Sequence, residues 1–315
     1  MKIRPAFVFL YLLLLSASSA WAKSDHSYRM DVPLTSERTV NFDVQEGDFI
    51  LRGDPSATAV RMEVSIDRFF IFRLGEQDIL KKLIKVTHDN GDSVTIATDI
   101  PKSIANWGRA EYPIDFTVIV PANMNIRVHD TSGLVDLSDL AGNITIDDGS
   151  GTLTASRLSG NLRITKESGD IRIEQVRGET KINSRSGQMH LADLGRLEID
   201  NSEGNLTVAN IDSGDIHNGS GNVHVTGAKS ALKLVDTSGE IVVRQIGGAV
   251  DIQDTSGQIR VSDAGAVTIR DTDGNVTVEN AHSLKVTDKE SGEVMVRNVT
   301  GPVDVPSSVK LKRRG

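Results

Sequence analysis

A glycine recurs at nearly constant spacing from the middle of the chain to its end. These anchor glycines, 17 or 18 residues apart, are Gly133, Gly151, Gly169, Gly187, Gly204, Gly221, Gly239, Gly257, Gly274 and Gly292. A unit of this length has too few apolar residues to bury them by itself, whereas stacked units build one continuous core. The spacing therefore restricts the fold to short units that pile up along one axis.

Each unit divides into two halves that read G-x-φ-x-φ, where φ is an aliphatic residue. Residues 151–168 illustrate this, with GTLTASRLS followed by GNLRITKES. Alternation with a period of two, β-branched residues and a glycine turn are typical of short strands with one buried side. The halves differ at the seventh residue after the anchor, which is aliphatic or alanine only in the first half: Leu140, Leu158, Val176, Leu194, Ile211, Ala228, Ile246, Ala264, Ala281 and Val299. The structural period is therefore the pair of halves.

This pattern predicts an all-β fold, a single-stranded β-solenoid (β-helix) of about ten coils of 17–18 residues over residues 131–305. The second residue after each anchor is expected to point inward and form one internal column: Val135, Leu153, Ile171, Met189, Leu206, Val223, Ile241, Ile259, Val276 and Val294. With ~4.8 Å between stacked strands, ten coils form a rod of roughly 48 Å.

Residues 23–130 differ in composition, and we predict that they form a β-rich cap on the solenoid. Every aromatic residue that follows residue 22 lies in this segment. One short helix is predicted near residues 77–86, and a cap is needed because the end of a solenoid exposes unpaired backbone. The sequence GDFILRG at residues 47–53 already has the repeat pattern. The coil can therefore begin there, with the helix and the loop at residues 99–112 as insertions.

The first residues predict export. Lys2 and Arg4 precede an apolar run at residues 6–15, and small residues lead to an A-x-A motif that ends at Ala22. This is the pattern of a cleaved secretory signal peptide at residues 1–22. The apolar run is about half of the ~20 residues that span a bilayer, and no later segment is long and apolar enough to do so. With no cysteine for a disulfide or a lipid anchor, the product is expected to be periplasmic or extracellular.

The charge of the chain argues against a nucleic-acid partner. The net charge is −8, and removal of residues 1–22, which contribute two positive charges and no acid, gives −8 − 2 = −10. An acidic chain repels nucleic acid. The exception is a basic C-terminal tail at residues 306–315, with Lys310, Lys312, Arg313 and Arg314, which we expect to be a solvated end.

Long β-helices are often polysaccharide lyases or hydrolases, so a carbohydrate-active enzyme is the alternative function. Such an enzyme needs a carboxylate pair at a defined separation, and sugar sites usually contain aromatic side chains. Residues 131–305 contain no Phe, Tyr or Trp, and their acidic residues are spread over nearly every coil. We place these acids at turns and outward strand positions, and we predict a protein that is not an enzyme.

No residue pattern indicates a metal ion or a cofactor. The G-x-S-x-G, H-E-x-x-H, P-loop and dinucleotide-binding motifs are absent. His190 and His224 lie at equivalent positions two coils apart, about 10 Å at the strand spacing, which is too far to share a metal ion. A cation could bind the acidic residues that precede several anchors, but capping of the turn backbone accounts for them better. These residues are Asp130, Asp148, Asp236, Asp254 and Asp271.

An interaction surface is the remaining candidate site. The third residue after each anchor is expected to point outward: Asp136, Thr154, Arg172, His190, Thr207, His224, Val242, Arg260, Thr277 and Met295. Flat, regularly spaced polar side chains suit an extended or repetitive partner. The predicted contact residues are Trp107, in the loop SIANWGRAEY, and Arg172, His190, His224 and Arg260. An envelope protein or a glycan is the expected partner.

The chain resembles a bacterial family of secreted or envelope proteins described as putative adhesins, a domain of unknown function with glycine-anchored short-strand repeats. The likeness covers GDFILRG, the segment YPIDFTVIVPANMNIRVHDTSGLVDL and the SG-x-φ-x-φ units beyond it. The resemblance implies the solenoid fold and an adhesin-like or scaffold role in the cell envelope, and it brings no catalytic residues. The chain departs from a cell-anchored adhesin because it has no cysteine for lipid modification and no sorting signal.

Overall fold

A computed structural model describes residues 26–66, 79–89, 91–100 and 114–314. The described chain is nearly all β, with one short helix, α1 (Ile79–Leu83). Its strands are β1 (Ser27–Pro33), β2 (Thr39–Asp43), β3 (Phe49–Asp54), β4 (Ala59–Ile66), β5 (Ile84–Asp89), β6 (Ser93–Thr98), β7 (Ile114–Pro121), β8 (Asn125–Ser138), β9 (Ile144–Leu158), β10 (Leu162–Lys166), β11 (Ile171–Val176), β12 (Thr180–Ser186), β13 (Met189–Glu203), β14 (Leu206–Ser220), β15 (Val223–Ala228), β16 (Leu232–Val235), β17 (Ser238–Ile246), β18 (Val250–Thr287), β19 (Glu293–Val299), β20 (Val303–Asp304) and β21 (Lys310–Arg314).

Successive coils stack as parallel strands in a fixed register. Each residue lies beside the residue one repeat later, as Val135 does beside Leu153 and Leu206 beside Val223. Column A is the stack of segments that follow the anchor glycines, from residues 134–140 to 293–299. Column B is the stack of segments that precede them, from residues 125–130 to 284–287. The predicted β-solenoid of about ten coils is confirmed.

The core lies between the two columns and is aliphatic over the repeats. All ten residues of the predicted internal column are buried, with at most 1% of their surface exposed. Column B contributes a second aliphatic set, such as Ile164, Leu234 and Ile252. Because each side chain packs against its equivalents in the coils above and below, no single coil has to enclose its own core.

A left-handed residue in each coil explains why the seventh residue after the anchor is aliphatic. Strict alternation places the second, fourth and sixth residues inward, yet Leu158 and Ile246, seventh after their anchors, are buried. The residue before each of them, Arg157 or Gln245, has a φ near +55°, at 54° and 58°. The same feature recurs at Asp139, Gln175, Asp193, Asn210, Asp263, Asn280 and Asn298, and at Gly227. This local kink turns the next side chain into the core.

The anchor glycines allow the coils to approach closely at one corner. Gly239 has a φ of +140°, and a Cβ atom added to it would lie 2.0 Å from the carbonyl oxygen of Gly221. Each anchor from Gly151 to Gly292 stands in the same relation to the anchor before it. Only glycine combines this conformation with the absence of a Cβ atom.

The N-terminal segment continues the stack and then closes it. Strands β2 and β3 pair in parallel with β8, with Phe49 beside Val135, so GDFILRG forms a coil as predicted. Strands β6 and β7 lie in parallel on the other side of β2 and β3. Antiparallel pairs β5–β6, β4–β7 and β1–β4 complete the cap. The boundary predicted between residues 130 and 131 falls inside β8, because the coil runs through it.

Three of the four aromatic residues described in the cap pack inside it, and the fourth, Tyr28, is partly buried. Phe42, Phe49 and Phe116 are buried, and the ring centroids of Phe42 and Phe49 are 5.0 Å apart. The helix predicted near residues 77–86 is present only at Ile79–Leu83 (α1), with Ile79 and Leu83 buried. Residues 84–86 belong to β5 instead, and residues 77–78 lie outside the described residues. In the described part of the chain, no helix has the length and apolar character to cross a membrane.

The basic C-terminal residues differ from the solvated end that we expected. Residues 310–314 form β21, which pairs in parallel with β19 and places Leu311 beside Val294. Lys310 and Lys312 both form ion pairs with Glu293, at 2.7 Å and 2.5 Å. The alternation of charged and apolar residues at Lys310, Leu311 and Lys312 continues the strand pattern to the end of the chain. Backbone pairing and the two ion pairs therefore order residues 310–314.

The inside–outside assignment can be tested in column B at two adjacent residues. Leu234 is fully buried, whereas the side chain of Lys233 is half exposed and lies 3.5 Å from Asp215. Leu234→Asp is expected to lower the free energy of unfolding by at least about 3 kcal/mol, because it buries an unpaired charge. Lys233→Gln removes one surface ion pair and is expected to cost less than about 1 kcal/mol. Chemical denaturation measures both, and equal losses would contradict the assignment.

The left-handed kink predicts a stabilising substitution. A non-glycine residue in this conformation costs about 1–2 kcal/mol, so Gln245→Gly is expected to raise the free energy of unfolding by about 0.5–1 kcal/mol. Gln253→Gly, in an exposed extended position of the same coil, is the control and is expected to lower it by about 0.5–1 kcal/mol. Destabilisation by Gln245→Gly in the same denaturation experiment would contradict the proposed kink.

Candidate interaction surface

The outer face of column A carries four of the five predicted contact residues in one line: Arg172, His190, His224 and Arg260. This outer face consists of Asp136, Thr154, Arg172, His190, Thr207, His224, Val242, Arg260, Thr277 and Met295. Strand register places neighbours of this set beside each other, as Arg172 beside His190 and Val242 beside Arg260. Parallel stacking thus presents one side chain about every 4.8 Å along the axis.

Arg172 and His190 occupy adjacent rungs of the outer face. Both are exposed, and the Arg172 side chain is 61% accessible. The Arg172 guanidinium lies 2.5 Å from a carboxylate oxygen of Glu174, two residues along the same strand. This ion pair holds the guanidinium on the surface while most of the arginine remains free to meet a partner.

Arg260 and His224 come together around a shallow depression of about 470 Å³. The rung between them carries Val242, which lines the floor with Thr226. The Arg260 guanidinium forms an ion pair with Glu240 and donates a 2.7 Å hydrogen bond to Gln258 Oε1. Both partners lie on the column A strands and fix the direction of the guanidinium. The depression therefore presents two arginines, Arg244 and Arg260, one carboxylate, Glu240, and the His224 imidazole.

The other predicted contact residues are not all brought to this place. His190 lies two rungs from His224, with Thr207 between them in the register, so the predicted line is interrupted by neutral residues. Trp107 lies outside the described residues. Within the described ranges, no group of three histidine, aspartate or glutamate side chains is arranged to hold a metal ion.

A buried polar ladder runs along the corner of the stack, and the sequence interpretation missed it. The ladder consists of the third residue before each anchor glycine: Asp130, Asp148, Lys166, Ser184, Asn201, Asn218, Asp236, Asp254, Asp271 and Lys289. All are at most 5% exposed. The acids among them were placed at turns and outward positions. The outward placement is wrong, because these residues continue the inward alternation of column B, as Leu234 and Asp236 show.

Hydrogen bonds link several rungs of the polar ladder. Asn201 Nδ2 donates to Asn218 Oδ1 at 2.7 Å, and Asn218 Nδ2 donates to Asp236 Oδ1 at 3.1 Å. Lys289 Nζ donates to Asp271 Oδ2 at 2.6 Å. Lys166 Nζ likewise pairs with Asp148. Two lysines thus neutralise one aspartate each inside the stack.

The remaining ladder aspartates have raised pKa values. Burial, and then the charge of Asp148, raises the pKa of Asp130 to about 7. Burial, and then the charge of Asp254, raises the pKa of Asp236 to about 7. Burial, and then the charge of Asp271, raises the pKa of Asp254 to about 6. Each of these shifts arises because a carboxylate loses its hydration next to another acid. The predicted capping is also present, because backbone N–H groups one or two residues further on act on all five ladder aspartates and lower their pKa values. At Asp254 the Ser256 backbone N–H donates to Oδ1 at 3.3 Å.

A second depression, in the cap, was not predicted from the sequence. It measures about 630 Å³ and is mainly apolar, with two lysines at its edge. Its lining includes Met30, Ile79, Leu80, Ile84 and Val86. Residues 67–78 and 101–113 adjoin it in sequence and lie outside the described residues.

Comparison with known proteins identifies the family. The model of the family named Toastrack DUF4097 matches residues 22–262 and also 179–299. The search of curated proteins gives no match.

The solved structures to which the chain is similar include two described as putative adhesins. The one from Parabacteroides distasonis is 13% identical, with 89% of this chain and 98% of that chain covered and a TM-score of 0.37. The one from Parabacteroides merdae is 12% identical, with 90% and 97% covered and a TM-score of 0.36. A third, a putative lipid binding protein from Parabacteroides distasonis, is 12% identical, with 93% and 98% covered and a TM-score of 0.30. The resemblance seen in the sequence is confirmed, and because the family model covers well over half of its residues, the chain belongs to the Toastrack DUF4097 family.

Proposed function

We propose that this protein is an exported, non-catalytic interaction protein of the cell envelope that binds an extended partner along the outer face of column A. The signal-peptide pattern at residues 1–22 supports export. The descriptions of similar structures as putative adhesins agree with an interaction role. In this role the solenoid is a scaffold that spaces the contact groups.

The observation that carries the proposal is the regular line of exposed side chains on a rigid stack. Arg172, His190, His224 and Arg260 share one register column. A partner with repeating units can meet successive rungs at the ~4.8 Å strand spacing. Rigid strands also lose little conformational freedom when they bind, so modest individual contacts can add up to a specific interaction.

The chemistry around Arg260 favours a partner that carries acidic or hydroxyl groups. A guanidinium donates up to five hydrogen bonds in a planar fork, and Glu240 and Gln258 occupy only part of this capacity. His224 offers a donor or an acceptor at the opposite side of the same depression. Acidic envelope glycans and acidic protein segments both present such groups.

Binding to immobilised envelope extract tests the proposal. The double variant His224→Ala/Arg260→Ala is expected to weaken saturable binding by about tenfold or more, since a positioned arginine at the centre of a contact contributes about 1.4 kcal/mol or more. The double variant Arg163→Ala/Lys233→Ala removes two exposed cations from column B and is expected to bind like the unmodified protein. Treatment of the extract with protease or with periodate distinguishes a protein partner from a glycan.

Two results would contradict the proposal. The first is equal binding by both double variants, or no saturable binding to any envelope fraction. The second is cleavage of a polysaccharide by the purified protein, detected by product analysis over a broad substrate panel, which would favour the carbohydrate-active enzyme.

A further inference from the structure

Two buried aspartates face each other in adjacent rungs of the polar ladder. The backbone N–H of Asp236 donates to the carbonyl of Gln253 at 2.8 Å, which places Asp236 beside Asp254 in column B. Asp236 is 2% and Asp254 3% exposed. Their carboxyl groups therefore share one corner of the stack, away from bulk water.

The two carboxyl groups are incompletely paired. Asp236 Oδ1 accepts the hydrogen bond from Asn218, and Asp254 Oδ1 accepts the long one from Ser256. The backbone N–H groups of the two residues that follow each aspartate also act on its carboxyl group. Within the described residues, Asp236 Oδ2 and Asp254 Oδ2 are buried and have no hydrogen-bond partner. A buried oxygen in this state is costly if both groups are ionised.

The rest of the ladder shows how the fold treats such acids. Asp148 and Asp271 each have a lysine Nζ beside them, from Lys166 and Lys289. Asp236 and Asp254 have no lysine in the rungs next to them, because those rungs carry Asn218 and Asp271. The inward neighbours on their own strands are aliphatic, namely Leu234 and Ile252. The charged groups that act on the pair are therefore Asp271, with Asp273 near it, and the more distant Lys289.

We propose that Asp236 and Asp254 form a proton-binding pair that holds one proton at neutral pH and that loss of this proton weakens the stack. A protonated carboxyl is a hydrogen-bond donor, so one proton both removes a like-charge contact and gives a partner to an unpaired oxygen. The proton belongs to the pair, and the two residues titrate as one coupled unit. It plays the part that the lysine ammonium plays at Asp148 and Asp271.

The direction of the pH dependence follows from the raised pKa values. These pKa values are about 7 and about 6 in the folded protein, against about 3.9 for an aspartate in an unfolded chain. The stabilisation is fully present below about pH 4 and is lost as the pH rises through 6 to 7. Asp139 and Glu293, whose pKa values are held at about 2 by hydrogen bonds from Arg157 and Lys310, titrate below this range.

Denaturation of the full chain between pH 5 and pH 8 tests the proposal. The unfolding equilibrium constant of the unmodified protein is expected to rise with pH, relative to that of Asp254→Asn, by up to about tenfold per pH unit for one proton. Asp236→Asn is expected to weaken the same dependence without abolishing it, because Asp254 remains buried beside Asp271. Asp200→Asn, an exposed residue beside the ladder, is the control and should keep the slope of the unmodified protein. Parallel slopes for all four proteins would overturn the proposal.

Carbon-13 NMR of the aspartate carboxyl carbons gives a readout that does not depend on stability. The unmodified protein should show a carboxyl that titrates near pH 6–7. In Asp254→Asn and in Asp236→Asn the aspartate that remains should titrate at lower pH, because its neighbour in the pair no longer carries a charge. The signal of Asp130 falls in the same range and should survive in both variants. The proposal would be overturned if neither the Asp236 nor the Asp254 carboxyl carbon titrated above pH 5.

A third experiment tests whether the pair binds a metal cation instead of a proton. If calcium or potassium chloride at pH 8 stabilises the unmodified protein but not Asp254→Asn, the pair binds a metal cation and the proton proposal is wrong. Equal effects of these salts on both proteins are the expected result.

Discussion

The close approach of one glycine turn to the next is the constraint on which the structure depends. At Gly239 the carbonyl oxygen of the preceding anchor lies where a side chain would begin, at 2.0 Å from an added Cβ atom. Because this corner repeats in every coil, the strands of columns A and B can keep the parallel spacing that pairs their backbones. The core between columns A and B is then filled by aliphatic side chains and needs no aromatic residue. The cap, with Phe42, Phe49 and Phe116, is the place where bulkier residues close the stack.

The same regularity produces both the outer face and the polar ladder. Residues at one position of the repeat form a line of side chains along the axis. One such line points outward and includes Arg172 and Arg260, and another points inward and includes Asp236 and Asp254. On the outside, such a line provides spaced contact groups. On the inside, it brings like charges together, and the fold compensates with lysines at two rungs and, by our inference, with a proton at another. The surface and the buried corner are therefore consequences of one architecture.

The fold could be predicted from the sequence because the repeat makes each signal recur. Period-two alternation correctly placed Val135 and its equivalents in the core, and GDFILRG identified the coil formed by β3. The buried aspartates were misassigned because a polar residue before Ser-Gly is typical of a turn, whereas the alternation from Leu234 to Asp236 already indicated an inward side chain. The tail at residues 310–314 was misassigned because its charges suggested solvent, although Leu311 kept the strand period. The contact residues of the surface stay predictions, since a periodic face does not specify which of its rungs a partner uses.

The most direct measurement of the central claim is the stability of Gly239→Ala beside that of Ser238→Ala. A methyl group at Gly239 must displace the backbone of the preceding turn and occupy a conformation that alanine rarely adopts, whereas Ser238 next to it lies at the partly exposed rim of the turn. The account predicts that Gly239→Ala lowers the free energy of unfolding by about 2 kcal/mol or more and that Ser238→Ala changes it by less than about 1 kcal/mol. Equal stability of the two variants would contradict it.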